Sequence, residues 1–381
     1  MNNFRLAEVS LNFDNQRIPL SGIERKKKTG PYPYYGAQEI VDYIDDYIFD
    51  GEYILVAEDG NNLVSNKKPL CTLVNGKFWV NNHAHIIKAN DKANTRYLYY
   101  LLNKISVKRY VTGSAQPKLN QENLNKIKID LPEKSIQEEI ANKIFPVEQR
   151  INLNIKHIKM LEDAVQLLFH KWFVEYNFPD ENGNPYKNSG GNMIETQGKV
   201  IPEDWQLLKF KDLFTFEKGV IPKEIFEVNN GAKAPYLTIE FIEENKGTFV
   251  EKQTDLLEAN DLDILIVMDG SRSGKVFTAI DGYVGSTLAK ISPIREEIND
   301  IGFMYLKKWE KSISKRTTGS TVPHTSKTYV NSLILSLPRN SDKLKEISGI
   351  FNIFRKKILL LQKENISLSQ TRDLLIEKLI K

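Results

Sequence analysis

Apolar residues along the chain follow two different periods. Residues 1–133 carry short continuous apolar runs, YILVA at 53–57 and AHIIKA at 84–89, separated by Gly, Asn and Pro. Such runs between turn residues predict short strands in a compact mixed domain. From Ser135 the spacing changes to steps of four and three. Ile140, Ile144, Val147, Ile151, Asn154, Ile158, Leu161, Val165, Leu168 and Trp172 form the a/d seam of a coiled coil. Pro146 has no amide hydrogen, so the main helix is expected to begin there, after a short helix over 135–144. Residues 179–200, PDENGNPYKNSGGNMIETQGKV, read as a linker. The mixed pattern returns over 201–338, where DILIVMDG at 263–270 matches YILVAEDG at 53–60. A second seam closes the chain: Ile347, Phe351, Phe354, Ile358, Leu361, Asn365, Leu368, Arg372, Leu375 and Leu379.

Each seam holds one central asparagine, and a buried amide is tolerated where another polar group meets it, so Asn154 and Asn365 are expected to set the register. If they face each other in an antiparallel pair, facing residues have numbers summing to 519. That rule pairs Ile140 with Leu379, Ile151 with Leu368, Ile158 with Leu361, Leu161 with Ile358, Leu168 with Phe351 and Trp172 with Ile347. Residues 140–172 at about 1.5 Å rise give a rod of roughly 50 Å. The expected class is α+β: two mixed α/β domains at opposite ends of a pair of long antiparallel coiled-coil helices. The expected segments are 1–133, 134–178, 179–338 (linker and second domain) and 339–381. Parallel pairing between two chains competes, but the alternating order of domain and helix fits the antiparallel rod better.

The two halves also repeat each other in detail. GSAQPKLNQENLNKIKIDLP at 113–132 has its counterpart in GSTVPHTSKTYVNSLILSLP at 319–338. Gly113, Ser114, Pro117, Leu131 and Pro132 recur 206 residues on as Gly319, Ser320, Pro323, Leu337 and Pro338, and Tyr99 recurs as Tyr305. A module used twice predicts a pseudo-twofold relation.

Composition narrows the function. The 53 Lys and Arg barely exceed the 49 Asp and Glu, so a nucleic-acid partner has to be argued from local clusters. Cys71 is the single cysteine, which excludes an internal disulfide and a cysteine zinc cluster and suits a reducing cytoplasm. The polar start and the lack of any long apolar run predict neither a secretory leader nor a membrane span. Catalytic motifs are weak. Gly183-Asn184-Pro185-Tyr186 lacks the second proline of an adenine-methylase site and reads as a turn. Gly270-Ser271-Arg272-Ser273-Gly274-Lys275-Val276 is one residue short of a phosphate loop and has valine where magnesium needs a hydroxyl. His83 and His85 without a clear carboxylate partner make a poor metal site, so no metal ligand is assigned.

What remains is basic, aromatic and Gly-rich. Arg25, Lys26, Lys27 and Lys28 precede Tyr34 and Tyr35, combining phosphate-seeking charge with flat rings. Lys108 and Arg109 precede Gly113 and Ser114, as Lys315 and Arg316 precede Gly319 and Ser320. Glycine there would let the backbone approach a phosphate, with Gln116, His324, Ser326 and Lys327 in reach of base edges. Ser271, Arg272 and Lys275 offer the same chemistry on another turn.

These elements resemble the specificity (S) subunits of Type I restriction-modification systems. The resemblance rests on the Gly-Ser-x-x-Pro loop leading to a strand ending Leu-Pro, and on the helix end LEDAVQLLFHKWFVEYNFPDENGNPYK followed by SGG and IPEDW. It also rests on the duplicated order of domain and helix. It spans essentially the whole chain, departing in a first domain that begins almost at Met1 and a second helix that ends at Lys381. It implies a non-catalytic DNA reader for phage defence, with one target recognition domain for each half of a bipartite asymmetric site. The helices would act as a ruler and dock two modification (methyltransferase) subunits, and restriction subunits would add ATP-driven translocation and cleavage. S-adenosylmethionine, ATP and magnesium would belong to those partners. A ruler of roughly 50 Å would allow half-sites about one helical turn apart on one DNA face. A stand-alone DNA-binding regulator, a coiled-coil interaction protein without a DNA role and a nuclease are the competing readings.

Overall fold

The run Tyr53–Ala57 is a strand in which Ile54, Leu55, Val56 and Ala57 are all buried. Ile54 and Val56 pack into one core and Leu55 into another, so both faces are covered and the apolar run is continuous instead of alternating. The strand Ile264–Val267 does the same, with Ile264 and Ile266 in one core and Leu265 and Val267 in another. The computed structural model describes residues 2–37, 39–60, 62–65, 69–113, 116–227, 233–244, 247–252, 255–319 and 321–381. The chain divides into two units, Met1–Ile151 with Leu368–Lys381, and Asn152–Ser367.

The repeat extends to backbone topology. In the first unit an antiparallel sheet runs in the order Ser10–Asn12, Ala84–Ala89, Tyr53–Ala57, Cys71–Val74. A second sheet runs Ile40–Ile44, Thr29–Tyr35, Lys77–Val80, Phe49–Asp50, with its two central strands parallel. Asn2–Arg5 pairs separately with Lys128–Leu131. The second unit has the same three sheets. One runs Phe214–Lys218, Leu288–Pro293, Ile264–Val267, Val276–Thr278. Another runs Phe249–Val250, Ala234–Leu237, Gly282–Val284, Glu258–Ala259, again with a parallel central pair. Trp205–Lys209 pairs with Ile334–Pro338.

The first long helix is continuous from Lys134 to Phe173 with Pro146 inside it, which corrects the expected break. Packing on both sides of the proline holds the helix through the lost hydrogen bond. Ile140, Ala141 and Ile144 are buried in the first unit's core, and the Arg96 guanidinium lies 3.6 Å from the centre of the Phe145 ring. One turn on, Glu148 accepts hydrogen bonds from Tyr99 (2.9 Å) and Tyr100 (2.7 Å). Burial, followed by that carboxylate, pushes both phenols well above their ordinary pKa, so they stay protonated donors.

The second long helix spans Ser341–Leu379. Within the second unit Asn154 Nδ2 donates to Asn365 Oδ1 at 2.9 Å, and Asn154 is fully buried, which is the register the facing asparagines predict. Trp172 packs edge-on against Phe351 at 5.8 Å, and in the first unit Ile140 and Ile380 share a core with Leu379 beside them. Each helix also uses a second buried face that the seams do not include. Phe169 and Phe173 stack at 4.9 Å and meet Tyr305, while Arg355 and Leu359 are buried on the closing helix. Arg355 pairs with buried Asp300 at 2.7 Å, donates to the Leu262 carbonyl at 2.7 Å and lies over Phe303. Each helix therefore packs on its partner along one face and on the domain body along another.

Residues 179–200 are folded, which corrects the linker reading. Asp180 caps a turn through Asn184, and the Tyr186 ring stacks on Phe178, which stacks on Trp205. Met193–Thr196 pairs with Lys199–Pro202 across Gln197 and Gly198, both at positive φ as a tight hairpin requires. Gly183-Asn184-Pro185-Tyr186 is thus a turn. Among the described residues no helix is long and apolar enough to cross a membrane.

The asparagine pair is testable. Asn154→Leu alone leaves Asn365 against an apolar side chain and should lower stability by about 1–2 kcal/mol. Asn154→Leu with Asn365→Leu should recover the loss and loosen the register. Thermal unfolding of the unsubstituted chain, Asn154→Leu, Asn365→Leu and the double variant measures the coupling; additive effects would mean that the amide pair does not set the register.

Candidate nucleic-acid interface

In each unit Asp-Gly follows one residue after the central strand, at Asp59-Gly60 and Asp269-Gly270, and the repeated Gly-x-x-x-Pro segment returns to that end. In the first unit Thr112 and Lys118 exchange two 2.8 Å backbone hydrogen bonds, and Gly60 N–H donates to the Pro117 carbonyl. In the second, Thr318 pairs with His324 in the same way, and Gly270 N–H donates to the Pro323 carbonyl at 2.9 Å. Gly113 has φ 84° and Gly319 φ 92°. A Cβ would meet the carbonyl of Gln116 or Val322 at 2.4 Å, so these glycines close their own loops. Loop closure alone thus requires glycine at both positions, whether or not a phosphate approaches there. Ser114 and Ser320 lie outside the described residues.

Charge is organised around the two strand ends. Asp59 accepts from or shares a proton with His83 Nδ1 at 2.7 Å, and Glu58 meets Arg17 at 3.0 Å and Lys118 at 3.2 Å. Behind them His85 is buried, with Nδ1 2.5 Å from Asp14 and Nε2 2.7 Å from the Leu119 carbonyl. Burial pushes the Asp14 carboxyl up, but the His85 hydrogen bond and charge, the Ile86 amide and Arg17 outweigh it and hold the group below its ordinary value. In the second unit Asp269 meets Lys218 at 2.6 Å and His324 at 2.7 Å. Burial raises that carboxyl too, and its hydrogen bonds to Lys218 and His324, with the lysine's charge, overcome it. Among the described residues no group of three or more His, Cys, Asp or Glu side chains could hold a metal.

The structure separates the sequence candidates into structural and accessible ones. Tyr34 is fully buried and its hydroxyl accepts from Leu20 N–H, so it cannot meet a ligand, correcting that assignment. Tyr35 is half-buried edge-on against Phe78, and burial raises its pKa. Arg25 braces the fold: it donates to the Leu20 carbonyl at 2.7 Å, to Asp42 at 3.2 Å and covers the Tyr34 ring. Arg25, Lys26 and Lys27 end a capped helix, Gly22–Lys27, where cations suit the helix dipole; the run is not the open basic loop expected. Lys26 and Lys27 are exposed, and Lys28 lies 3.8 Å from Asp45. Ser326 caps the helix Lys327–Ser332 by accepting from Tyr329 N–H, so its hydroxyl is committed to the fold.

Lys108, Arg109, Gln116, Lys315, Arg316 and Lys327 are exposed. Arg109 lies over Tyr110, Arg316 over Tyr329 and Lys327 over Phe216, so stacking orients each cation. Lys108 and Arg109 line one cleft of the first unit, together with Tyr110 and Lys128. Ser271, Arg272 and Lys275 border a cleft of 240 Å³ in the second, with Ser314 and Thr317 opposite. Arg17, Glu58, Asp59, Lys118, Lys218, Glu243 and Asp269 were absent from the sequence candidates. The Asp-Gly shared by the two matching strands was the available signal for Asp59 and Asp269.

Comparison with known proteins agrees with this architecture. Residues 1–163 and 202–370 match the family described as the Type I restriction modification DNA specificity domain. A Haemophilus influenzae protein provisionally named a type I restriction enzyme specificity subunit is 37% identical over 136 residues, covering 36% of this chain and 34% of its own. The MjaVIII specificity subunit of Methanocaldococcus jannaschii is 27% identical over 190 residues, 49% of this chain and 44% of that one. These two alignments therefore span less than half of each relative. The MjaIX specificity subunit of the same organism is 23% identical over 389 residues, 92% of this chain and 86% of that one. The crystal structure of a Type I restriction-modification S subunit from M. genitalium shares the fold, with TM-score 0.67 and 17% identity over 99% of this chain and 95% of that chain.

The buried Asp14–His85 pair gives a pH prediction with a definite sign. A carboxyl held below its unfolded value contributes stability that is present above about pH 4 and is lost as pH falls through the folded value. Asp14→Asn should cost on the order of 1–3 kcal/mol at pH 7 and flatten the acid limb of the stability profile. Thermal unfolding at pH 7, 5 and 3 checks this; an unchanged acid limb would remove Asp14 from the account.

Proposed function

The chain belongs to the family of Type I restriction modification DNA specificity domains, and from that premise we propose that it is the DNA sequence-specificity subunit of a Type I restriction-modification complex. Each unit reads one half of a bipartite, asymmetric duplex site. The observation that carries this reading is one backbone topology, used twice, bearing unlike side chains at corresponding places. Asp59 meets a histidine on the adjacent strand end, whereas Asp269 meets Lys218 at the end of the strand Phe214–Lys218 and His324 from its own returning loop. After Gly60 the chain turns into the short helix Asn62–Ser65; after Gly270 it continues Ser-Arg-Ser-Gly-Lys. A common scaffold with different loops suits two different half-sites, because loop side chains read base edges while the scaffold sets register on the backbone.

In this reading the long helices dock two modification (methyltransferase) subunits, and restriction subunits join that core. Support comes from their outward residues. Leu153, Met160 and Leu167 are exposed at seven-residue intervals on the first helix, and Ile353 and Leu360 follow the same interval on the second. A heptad row of large apolar side chains facing water is unfavourable unless another helix covers it. Methyl transfer, translocation and cleavage are assigned to the partners with their S-adenosylmethionine, ATP and magnesium, and the assembly works on host DNA in the cytoplasm.

Sequencing methylated adenines in host DNA, with the gene intact and then deleted, tests the reading. Loss of methylation at opposite strands of one bipartite motif is the expected result. An unchanged methylome in cells expressing a modification partner would instead leave a stand-alone DNA-binding regulator. Met160→Asp with Leu360→Asp should leave the isolated chain folded and reduce co-purification with the modification subunit at least about tenfold, since desolvating a charge at an interface costs several kcal/mol. Full retention would place docking elsewhere.

A further inference from the structure

We propose that the 271–275 turn of the second unit is a phosphodiester clamp that Glu243 keeps occupied until DNA arrives. The inference rests on the DNA-reading function above and deepens it by naming a site and an internal competitor. Glu243 places one carboxylate oxygen on Arg272 Nη1 and the other on Lys275 Nζ, at 2.5 Å for the lysine. Two oxygens of one anion shared between a guanidinium and an ammonium is the arrangement that the two non-bridging oxygens of a phosphodiester would take. The carboxylate stands in for that ligand.

The turn is built to hold its cations in place. Gly270 and Gly274 both have positive φ. At Gly274 a Cβ would lie 2.9 Å from Ile313 and from the Ser314 backbone, so the turn sits directly on the helix Asn299–Lys315. Ser273 is buried, with Oγ 2.8 Å from the carbonyls of Gly270 and Pro323, which ties the turn to the returning 317–323 loop. The hydroxyl residues Ser314 and Thr317 line the same cleft beside the cations.

The restraining ion pair is weak enough to exchange. Arg272 and Lys275 are 47% and 41% exposed, and ion pairs that open to water are screened and contribute little. A duplex presents a charge roughly every 1.7 Å and releases counterions on contact, so it outcompetes one carboxylate. With Glu243 in place the three groups carry one net positive charge, which lowers attraction to any anion approaching the turn.

The test is equilibrium binding of the full chain to a non-specific duplex over a range of salt concentrations, with unfolding midpoints recorded for every variant. Glu243→Gln should tighten binding about three- to tenfold at low salt. Glu240→Gln, the same charge change on the same helix at an exposed position, should shift it by less than about twofold. R272A with K275A should reduce the slope of log K against log salt by about one to two, and in that background Glu243→Gln should act no differently from Glu240→Gln. Equal effects of Glu243→Gln and Glu240→Gln in the otherwise unsubstituted chain would overturn the clamp while leaving the DNA-reading function intact. Failure of the unsubstituted chain to bind any duplex at low salt would overturn that function, and the clamp with it.

Discussion

Asn154 and Asn365 are the constraint on which the rest of the second unit depends. A seam of leucine and isoleucine is nearly indifferent to displacement by a heptad, because each new pairing buries similar area. The single amide pair is not indifferent, since a slip by a heptad separates the two amides and buries at least one of them against hydrocarbon. Fixing that level places Phe351 beside Trp172, and sets Arg355 where it can reach Asp300 and the Leu262 carbonyl. Leu262 itself is held at φ 71°, a strained conformation for a branched side chain, and its carbonyl accepts from both Arg355 and Asn299. A register error in the helices would therefore break a buried ion pair inside the domain body.

The same logic explains why the two units can diverge in their loops without losing the fold. Strand order, strand direction and the closure of the returning loop on Asp-Gly depend on backbone hydrogen bonds and two glycines. They do not depend on which side chain faces the aspartate. His83 fills that role in one unit, and Lys218 with His324 fills it in the other. Side chains at the strand ends are thus free to vary under a constant frame, as a protein with two different readings requires.

Much of the fold was legible because its signals are local or periodic. The runs at 53–57 and 84–89 are strands with those bounds, and the two asparagines were the only polar interruptions placed to meet. What misled was local evidence overruled by distant contacts. Pro146 is a helix breaker by its own chemistry, yet Arg96 and the tyrosines on Glu148 hold the helix through it. Gly, Asn and Pro in 179–200 indicate a linker until Phe178, Tyr186 and Trp205 stack. The site was less legible than the fold. Tyr34 and Arg25 looked ligand-facing because burial of a single ring or guanidinium leaves no mark in an isolated sequence. Glu243 lies 29 residues before Arg272, at a spacing set by the sheet between them and by no motif.

The division of the chain has a consequence for how the protein is made. The second unit is continuous, residues 152–367, whereas the first is completed only by residues 368–381. Ile380 is fully buried in the first unit's core, and Lys104 donates to its carbonyl and to that of Glu377. On the ribosome, where domains ordinarily fold in the order of their synthesis, this order is inverted. The unit whose strands emerge last has all its residues first, while the unit that emerges first lacks part of its core until residues 368–381 have been made. Its exposed surface during that interval is where chaperones would be expected to act.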